Sequence, residues 1–156
     1  MQSLSTCAKG VFKMAGPQMK SYGAYDFFVY EVDFAALTAG SSQTSSFTIQ
    51  QEADFLLTKI NMSPNIAAAA YVQSNTPVPL VTIMINDTGS GRNLMSSAVP
   101  LPNLFGNAGL PFILPRQRLF VASSVVNITL TNYDAAVSYN IRLSFIGEKA
   151  FQYGAA

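Results

Sequence analysis

Phe27-Phe28-Val29-Tyr30-Glu31-Val32-Asp33-Phe34 decides the fold. Phe28, Tyr30, Val32 and Phe34 fall on one side of an extended chain, with Glu31 and Asp33 on the other. A two-residue period of this kind marks a strand with one face buried and one in water. Further strands follow at short spacing. A Gly40-Ser41-Ser42-Gln43 turn leads into residues 44–50, where Phe47 and Ile49 share a face. Residues 54–60 set Phe55, Leu57 and Lys59 opposite Leu56, Thr58 and Ile60. Residues 78–85 are nearly all apolar and rich in β-branched side chains, which predicts a strand buried on both faces. The run Asn86-Asp87-Thr88-Gly89-Ser90-Gly91 reads as a turn. Residues 125–131 alternate well, and Asn132-Tyr133-Asp134 turns into a last strand over 137–146.

Between these strands the pattern is less regular. The four alanines in 67–72 favour helix by propensity, but Pro64 and Pro77 bracket the segment, so it reads as strand or irregular chain. Residues 96–117 hold Pro100, Pro102, Pro111 and Pro115 with Gly106 and Gly109. That composition predicts a long ordered loop, broken by one short strand near Phe112. Gly10, Gly16, Pro17 and Gly23 break any helix near the N-terminus, so residues 1–24 are expected to form an extended arm ahead of a β-domain over 25–156. No stretch approaches the ~20 apolar residues of a membrane-spanning helix, and Lys9 and Lys13 interrupt the opening segment, which does not read as a signal peptide.

The expected fold is all-β: about eight antiparallel strands in a two-sheet sandwich, because each strand's apolar face has to be buried against a second sheet. A jelly roll suits this strand count. An immunoglobulin-like Greek key is the rival, weakened by a tryptophan count of zero and a single cysteine.

The chemistry is bounded mainly by what the chain lacks. With no histidine, the usual general base, the Ser-His-Asp and Cys-His nucleophiles and the commonest zinc ligand are all missing. Cys7 stands alone, so neither an internal disulfide nor a nitrogen-and-sulfur zinc site can be built from one chain. No cofactor is implied. One motif resembles a catalytic signature: Asp87-Thr88-Gly89 after an apolar run, with Phe145-Ile146-Gly147 further on, is reminiscent of dimeric aspartic proteases. Polar Asn86 directly before the aspartate and the length of chain ahead of it speak against that reading. An ordinary tight turn has the same composition.

Only 11% of the 156 residues are charged, while 49% are hydrophobic and 12% aromatic. A free-standing domain normally carries more charge than this, so part of the surface is expected to be covered by partners. The net charge of +1 offers no general footprint for nucleic acid. The residues expected at interfaces are the basic ones of the arm, Lys9, Lys13 and Lys20, and Arg92, Arg116 and Arg118. Phe105 and Phe112 join them from the Pro/Gly-rich segment. Exposed tyrosines at 22, 25, 133, 139 and 153 would also suit stacking on sugar rings.

A longer pattern runs through Phe47-Thr48-Ile49-Gln50, Ala53-Asp54-Phe55 and Ile85-Asn86-Asp87-Thr88-Gly89-Ser90-Gly91-Arg92-Asn93-Leu94. It continues with Val99-Pro100-Leu101, Leu104-Phe105-Gly106, Pro111-Phe112, Leu114-Pro115-Arg116 and Leu130-Thr131-Asn132. It closes on Arg142-Leu143-Ser144-Phe145-Ile146-Gly147-Glu148-Lys149. Together with 27–34, these elements resemble small structural proteins of tailed bacteriophages, of the capsid decoration or cement kind, over residues 25–149. The resemblance implies a non-enzymatic β-sandwich, made in the bacterial cytoplasm. It would be mounted as a homodimer or homotrimer on the outside of the virion, bridging major capsid protein subunits, with no direct contact to nucleic acid or membrane. It supplies no catalytic residues. A tail, baseplate or receptor- and sugar-binding domain is the alternative that the same composition allows.

Overall fold

A computed structural model of the chain describes residues 20–68, 77–107 and 109–152. Nine strands and one short helix follow in the order β1 (Tyr22–Leu37), β2 (Ser42–Thr48), β3 (Asp54–Ile66), β4 (Val81–Asp87), β5 (Arg92–Asn93), β6 (Val99–Pro100), α1 (Leu101–Leu104), β7 (Phe112–Phe120), β8 (Val125–Asn132) and β9 (Tyr139–Gln152). The chain pairs from the outside inward: β1 with β9, β2 with β8, β3 with β7, and β4 with both β5 and β6, all antiparallel. This long folded ribbon is then rolled, so that β9 also pairs β3 and β8 also pairs β4. The result is one sheet ordered β1-β9-β3-β7 and a second ordered β2-β8-β4-β5, with β6 also on β4. That is a jelly roll. β5 and β6 are two fragments on the same neighbour, so the roll has eight strand positions, as the alternation of the sequence implied.

The inner faces meet in a core that draws on every long strand. Tyr30 of β1 stacks on Phe47 of β2 at 4.9 Å between ring centroids, and Phe47 lies at the same distance from Phe145 of β9. These contacts tie the first sheet to the second, because offset and edge-on aromatic pairs add to simple area burial. Tyr30 keeps its hydroxyl satisfied by accepting a hydrogen bond from the Gln50 N–H at 3.0 Å.

Several expectations need correction. Tyr22, Gly23 and Ala24, assigned to the arm, are the first residues of β1, and Tyr22 pairs with Gln152; residues 1–19, including Lys9 and Lys13, lie outside the described residues. In β3 a register shift between Leu57 and Lys59 inverts the alternation. Ile60 therefore joins Phe55 and Leu57 in the core, while Lys59 turns outward. A bulge of this kind flips every side chain beyond it. β4 was expected to be buried on both faces, but only Val81, Ile83 and Ile85 with Asp87 are buried, while Thr82, Met84 and Asn86 are half-buried on the outer face. The described residues of 96–111 are irregular apart from β6 and α1. The strand near Phe112, however, runs on to Phe120 as β7 and so takes in the last part of the predicted loop. Of the alanine-rich 67–72, Ala67 and Ala68 form a turn and the rest lies outside the described residues.

One buried acid fastens the chain as it enters β1. Asp54, at the start of β3, is fully buried. Its Oδ2 accepts hydrogen bonds from Lys20 Nζ at 2.7 Å and Tyr22 Oη at 2.8 Å, and its Oδ1 accepts the Ala122 N–H at 2.7 Å. Burial by itself pushes the Asp54 carboxyl upward, but the bonds from Lys20, Ala122 and Tyr22 outweigh it and hold the group below the ordinary carboxylate value. Burial, then the bond to Asp54, push the Tyr22 phenol up to about 12. A depressed carboxyl contributes stability above its unfolded value, near pH ~3.9, and loses it as pH falls through the lower folded value. A raised phenol contributes below its unfolded value, near pH ~10, and loses it as pH rises toward the folded one. Asp54→Asn is expected to cost on the order of 2 kcal/mol at neutral pH, with the half-exposed Lys20 counted low. In melting curves against pH, its deficit relative to wild type should shrink below about pH 4. Tyr22→Phe should lose less stability than wild type between about pH 10 and 12.

Candidate functional site

The eighth strand position of the roll is the weak one. β5 and β6 are two residues each, because Pro100, Pro102 and Gly106 crowd the segment and cannot sustain a ladder. Opposite them, β7 departs from its partner. Leu57 pairs with Arg118 and Lys59 with Ile113, so Leu114, Pro115, Arg116 and Gln117 bulge out against a single residue of β3. Two interrupted edges facing each other leave the sandwich open along this side. The opening is a crevice of about 450 Å³ whose floor is Leu57, Ile60, Ile85 and Phe145 of the core. Leu94, Met95, Val99, Leu104, Phe112 and Leu114 form its walls, and Asn93, Arg116, Gln117 and Arg118 its rim.

The rim is anchored by Asp87, which is only 1% exposed. Arg118 Nη2 donates to Asp87 Oδ2 at 3.1 Å and to Ser90 Oγ at 3.0 Å. The Arg118 Nε is buried without a hydrogen-bond partner among the described residues. Arg92 pairs across from Asp87 in the ladder, and beside it Asn86 Nδ2 donates to Asn93 Oδ1 at 2.8 Å. Arg92 and Arg116 are exposed and carry no ion pair among the described residues. Leu110 is 78% exposed, and Ile113, on the face of β7 opposite Phe112 and Leu114, is 64% exposed.

Four of the eight residues expected at interfaces therefore gather on one edge: Arg92, Phe112, Arg116 and Arg118. The other described ones do not. Lys20 is tied to Asp54. Phe105 is a core residue, 2% exposed and edge-on to Phe145 at 5.8 Å. The expectation that it lies at an interface is corrected: its place is the core, which the Pro/Gly-rich context concealed. The turn through Gly106 presses that segment onto β3: the Met62 N–H donates to the Gly106 carbonyl at 2.9 Å, and a Cβ on Gly106 would lie 2.0 Å from the Leu110 carbonyl oxygen. Phe105 is thereby driven inward. The sequence reading missed Leu94, Met95, Val99, Leu104 and Leu114, whose only local signal is apolarity in a loop.

The Asp87-Thr88-Gly89 motif is used as a turn. Asp87 Oδ1 accepts the Gly89 and Ser90 N–H groups at 3.0 and 3.4 Å, and Oδ2 accepts the Ser90 hydroxyl at 2.6 Å. Thr88 Oγ1 donates to the Val125 carbonyl at 2.8 Å. The glycine is required by packing, since a Cβ there would sit 2.5 Å from that of Ser124. Both carboxylate oxygens face the protein's own donors.

The tyrosines separate in the same way. Tyr139 is buried and donates to Asp134 Oδ2, Tyr22 is bound to Asp54, and Tyr25 and Tyr133 are exposed. Tyr153 lies outside the described residues. A second concavity, of about 430 Å³ on the outer face of the first sheet, is lined by Asp33, Ser63, Asn65, Asn140 and Arg142 among others. Its Asp33 and Arg142 pair with each other at 2.6 Å. Among the described residues no three His, Cys, Asp or Glu side chains gather to hold a metal ion, and no helix is long and apolar enough to cross a membrane.

No protein-family model matches the chain, and no curated protein is similar to it in sequence. Among solved structures it is similar to the crystal structure of the infectious bursal disease virus VP2 subviral particle, at 11% identity and a TM-score of 0.29. The match covers 96% of this chain and 46% of that one, so the chain spans under half the length of that protein. A likeness so distant decides neither fold nor function. The jelly roll rests on strand pairing alone.

Phe105→Ala is expected to destabilise the fold by about 3–5 kcal/mol, as truncation of a buried phenylalanine does. Arg92→Ala and Arg116→Ala should stay within about 0.5 kcal/mol of wild type. Chemical denaturation of the three variants checks both expectations.

Proposed function

We propose that this chain is a non-enzymatic structural protein of a virus particle, specifically a decoration or cement protein on the head of a tailed bacteriophage. In this role it bridges neighbouring major capsid subunits. The observation that carries the reading is the open edge of the roll: an apolar crevice reaching Phe145, walled by half-buried Leu94, Met95, Phe112 and Leu114 and rimmed by Arg116 and Arg118. Contiguous exposed apolar surface with a polar rim is the mark of a protein contact, and arginine is the cation that best suits such a rim. The resemblance to phage decoration proteins over residues 25–149 supports the same reading. So does the low charged fraction, since a subunit held in a lattice by many modest contacts needs less charge to stay soluble.

A receptor- or glycan-binding tail domain is the second reading. The groove lined by Asp33, Ser63, Asn140 and Arg142 beside Phe34 and Ile141 favours it, because hydrogen-bonding side chains next to apolar surface suit a sugar.

Cryo-electron microscopy of particles assembled with the chain fused to a compact tag separates the two. Extra density distributed over the icosahedral shell is expected, and it should fade when Arg92 and Arg116 are both replaced by alanine. Density confined to the tail, or none on the particle, would overturn the cement reading.

A further inference from the structure

The first sheet has two edges of opposite charge. β1, at one end of the order β1-β9-β3-β7, contains Asp26, Glu31 and Asp33 and no basic residue. β7, at the other end, contains Arg116 and Arg118 and no acidic one, and Arg92, on β5 at the edge of the second sheet, lies across from the Asp87 that Arg118 binds. Within the chain Asp33 is already paired with Arg142, and Arg118 with Asp87. What remains is Asp26 and Glu31 on one edge and Arg92 and Arg116 on the other, all four exposed and with no ion pair among the described residues. Asp26 adjoins Phe27, which is 75% exposed, and Glu31 follows further along β1; Arg116 lines the apolar crevice, and Arg92 precedes Asn93 of its rim.

We infer that the crevice edge of one copy receives the β1 edge of a second copy, with Phe27 supplying apolar contact and Asp26 and Glu31 facing Arg92 and Arg116. Strand directions agree with this arrangement. β1, β9, β3 and β7 alternate in direction, so a β1 set beside the β7 of an identically oriented neighbour runs antiparallel to it. The contact forms through side chains and not as a continuous ladder, because Pro115 and the bulge at 114–117 interrupt the free edge of β7. Two different surfaces on each copy make the contact heterologous, so copies add head to tail and stop only when a ring closes. Alternating edge charge also disfavours the wrong pairings, acidic edge on acidic edge and basic on basic. The inference rests on the reading of this chain as an assembling structural protein, although its test needs no particle.

Light scattering after size-exclusion chromatography, on the full chain, gives that test. The wild type is expected at a multiple of its 16.7 kDa mass. Reversing one edge, as Arg92→Glu with Arg116→Glu or as Asp26→Lys with Glu31→Lys, should weaken association on the order of tenfold or more. Mixing the two reversed proteins, or combining all four substitutions in one chain, should restore it. A wild type that remains a monomer at its highest soluble concentration would overturn the inference, as would reversed variants of unchanged mass or a fourfold variant that fails to recover. Hydrogen exchange on concentrated against dilute wild type is a readout independent of any substitution. Protection is expected in 22–37 and 112–120, and protection confined to the second sheet would overturn the inference. A wild type that binds the shell without associating with itself would sink this contact and leave the cement reading standing.

Discussion

Two apolar sheets laid face to face have to be sealed on every side, and this chain leaves one side unsealed. The seal that holds is aromatic: Tyr30, Phe47 and Phe145 clamp the sheets across their middle. Phe105 extends that cluster on to the Pro/Gly-rich segment. The seal that fails lies where β5 and β6 are too short to cover the core and β7 bulges away from β3. Everything proposed for this molecule turns on that gap. An apolar crevice open to water is unfavourable in a lone protomer, and covering it with a neighbour recovers the transfer free energy that folding left unused.

Charge is placed with the same economy. The chain has few ionised groups, and several of them are spent inside the fold, Asp54 on Lys20 and Asp87 on Arg118. Removing charge from solvent to build turns and clasps leaves the remaining ions to act at the surface. On the two edge strands of the first sheet the remaining charges differ in sign, negative on β1 and positive on β7. An edge strand in an isolated sheet invites unwanted pairing. Acidic side chains along β1 and the proline-bearing bulge of β7 both restrict it, while leaving room for one complementary partner.

The site was legible in part. Arg92, Arg116, Arg118 and Phe112 could be picked out because arginines are scarce here and sit among prolines and glycines, where a loop can present them. Phe105 could not. A phenylalanine in a Pro/Gly-rich loop reads the same whether it points out or in, and only the approach of Gly106 to the β3 backbone turns it inward. The face inversion in β3 was equally hidden, since nothing in Leu57-Thr58-Lys59 announces an extra residue in the ladder. The Asp87 turn was readable from composition, but its pairing with Arg118 was not.

By itself, then, the sequence determined that the chain is built of strands, because a two-residue period of burial is a local property carried by neighbouring side chains. It also excluded histidine chemistry and a nitrogen-and-sulfur zinc site within one chain, since those require residues that are missing. Which strand lies beside which, and therefore where the roll stays open, was decided only in three dimensions. Pairing β1 with β9 or β4 with its two fragments depends on contacts between residues far apart along the chain. Local alternation reports which side of a strand is buried, and carries no record of the neighbour that buries it.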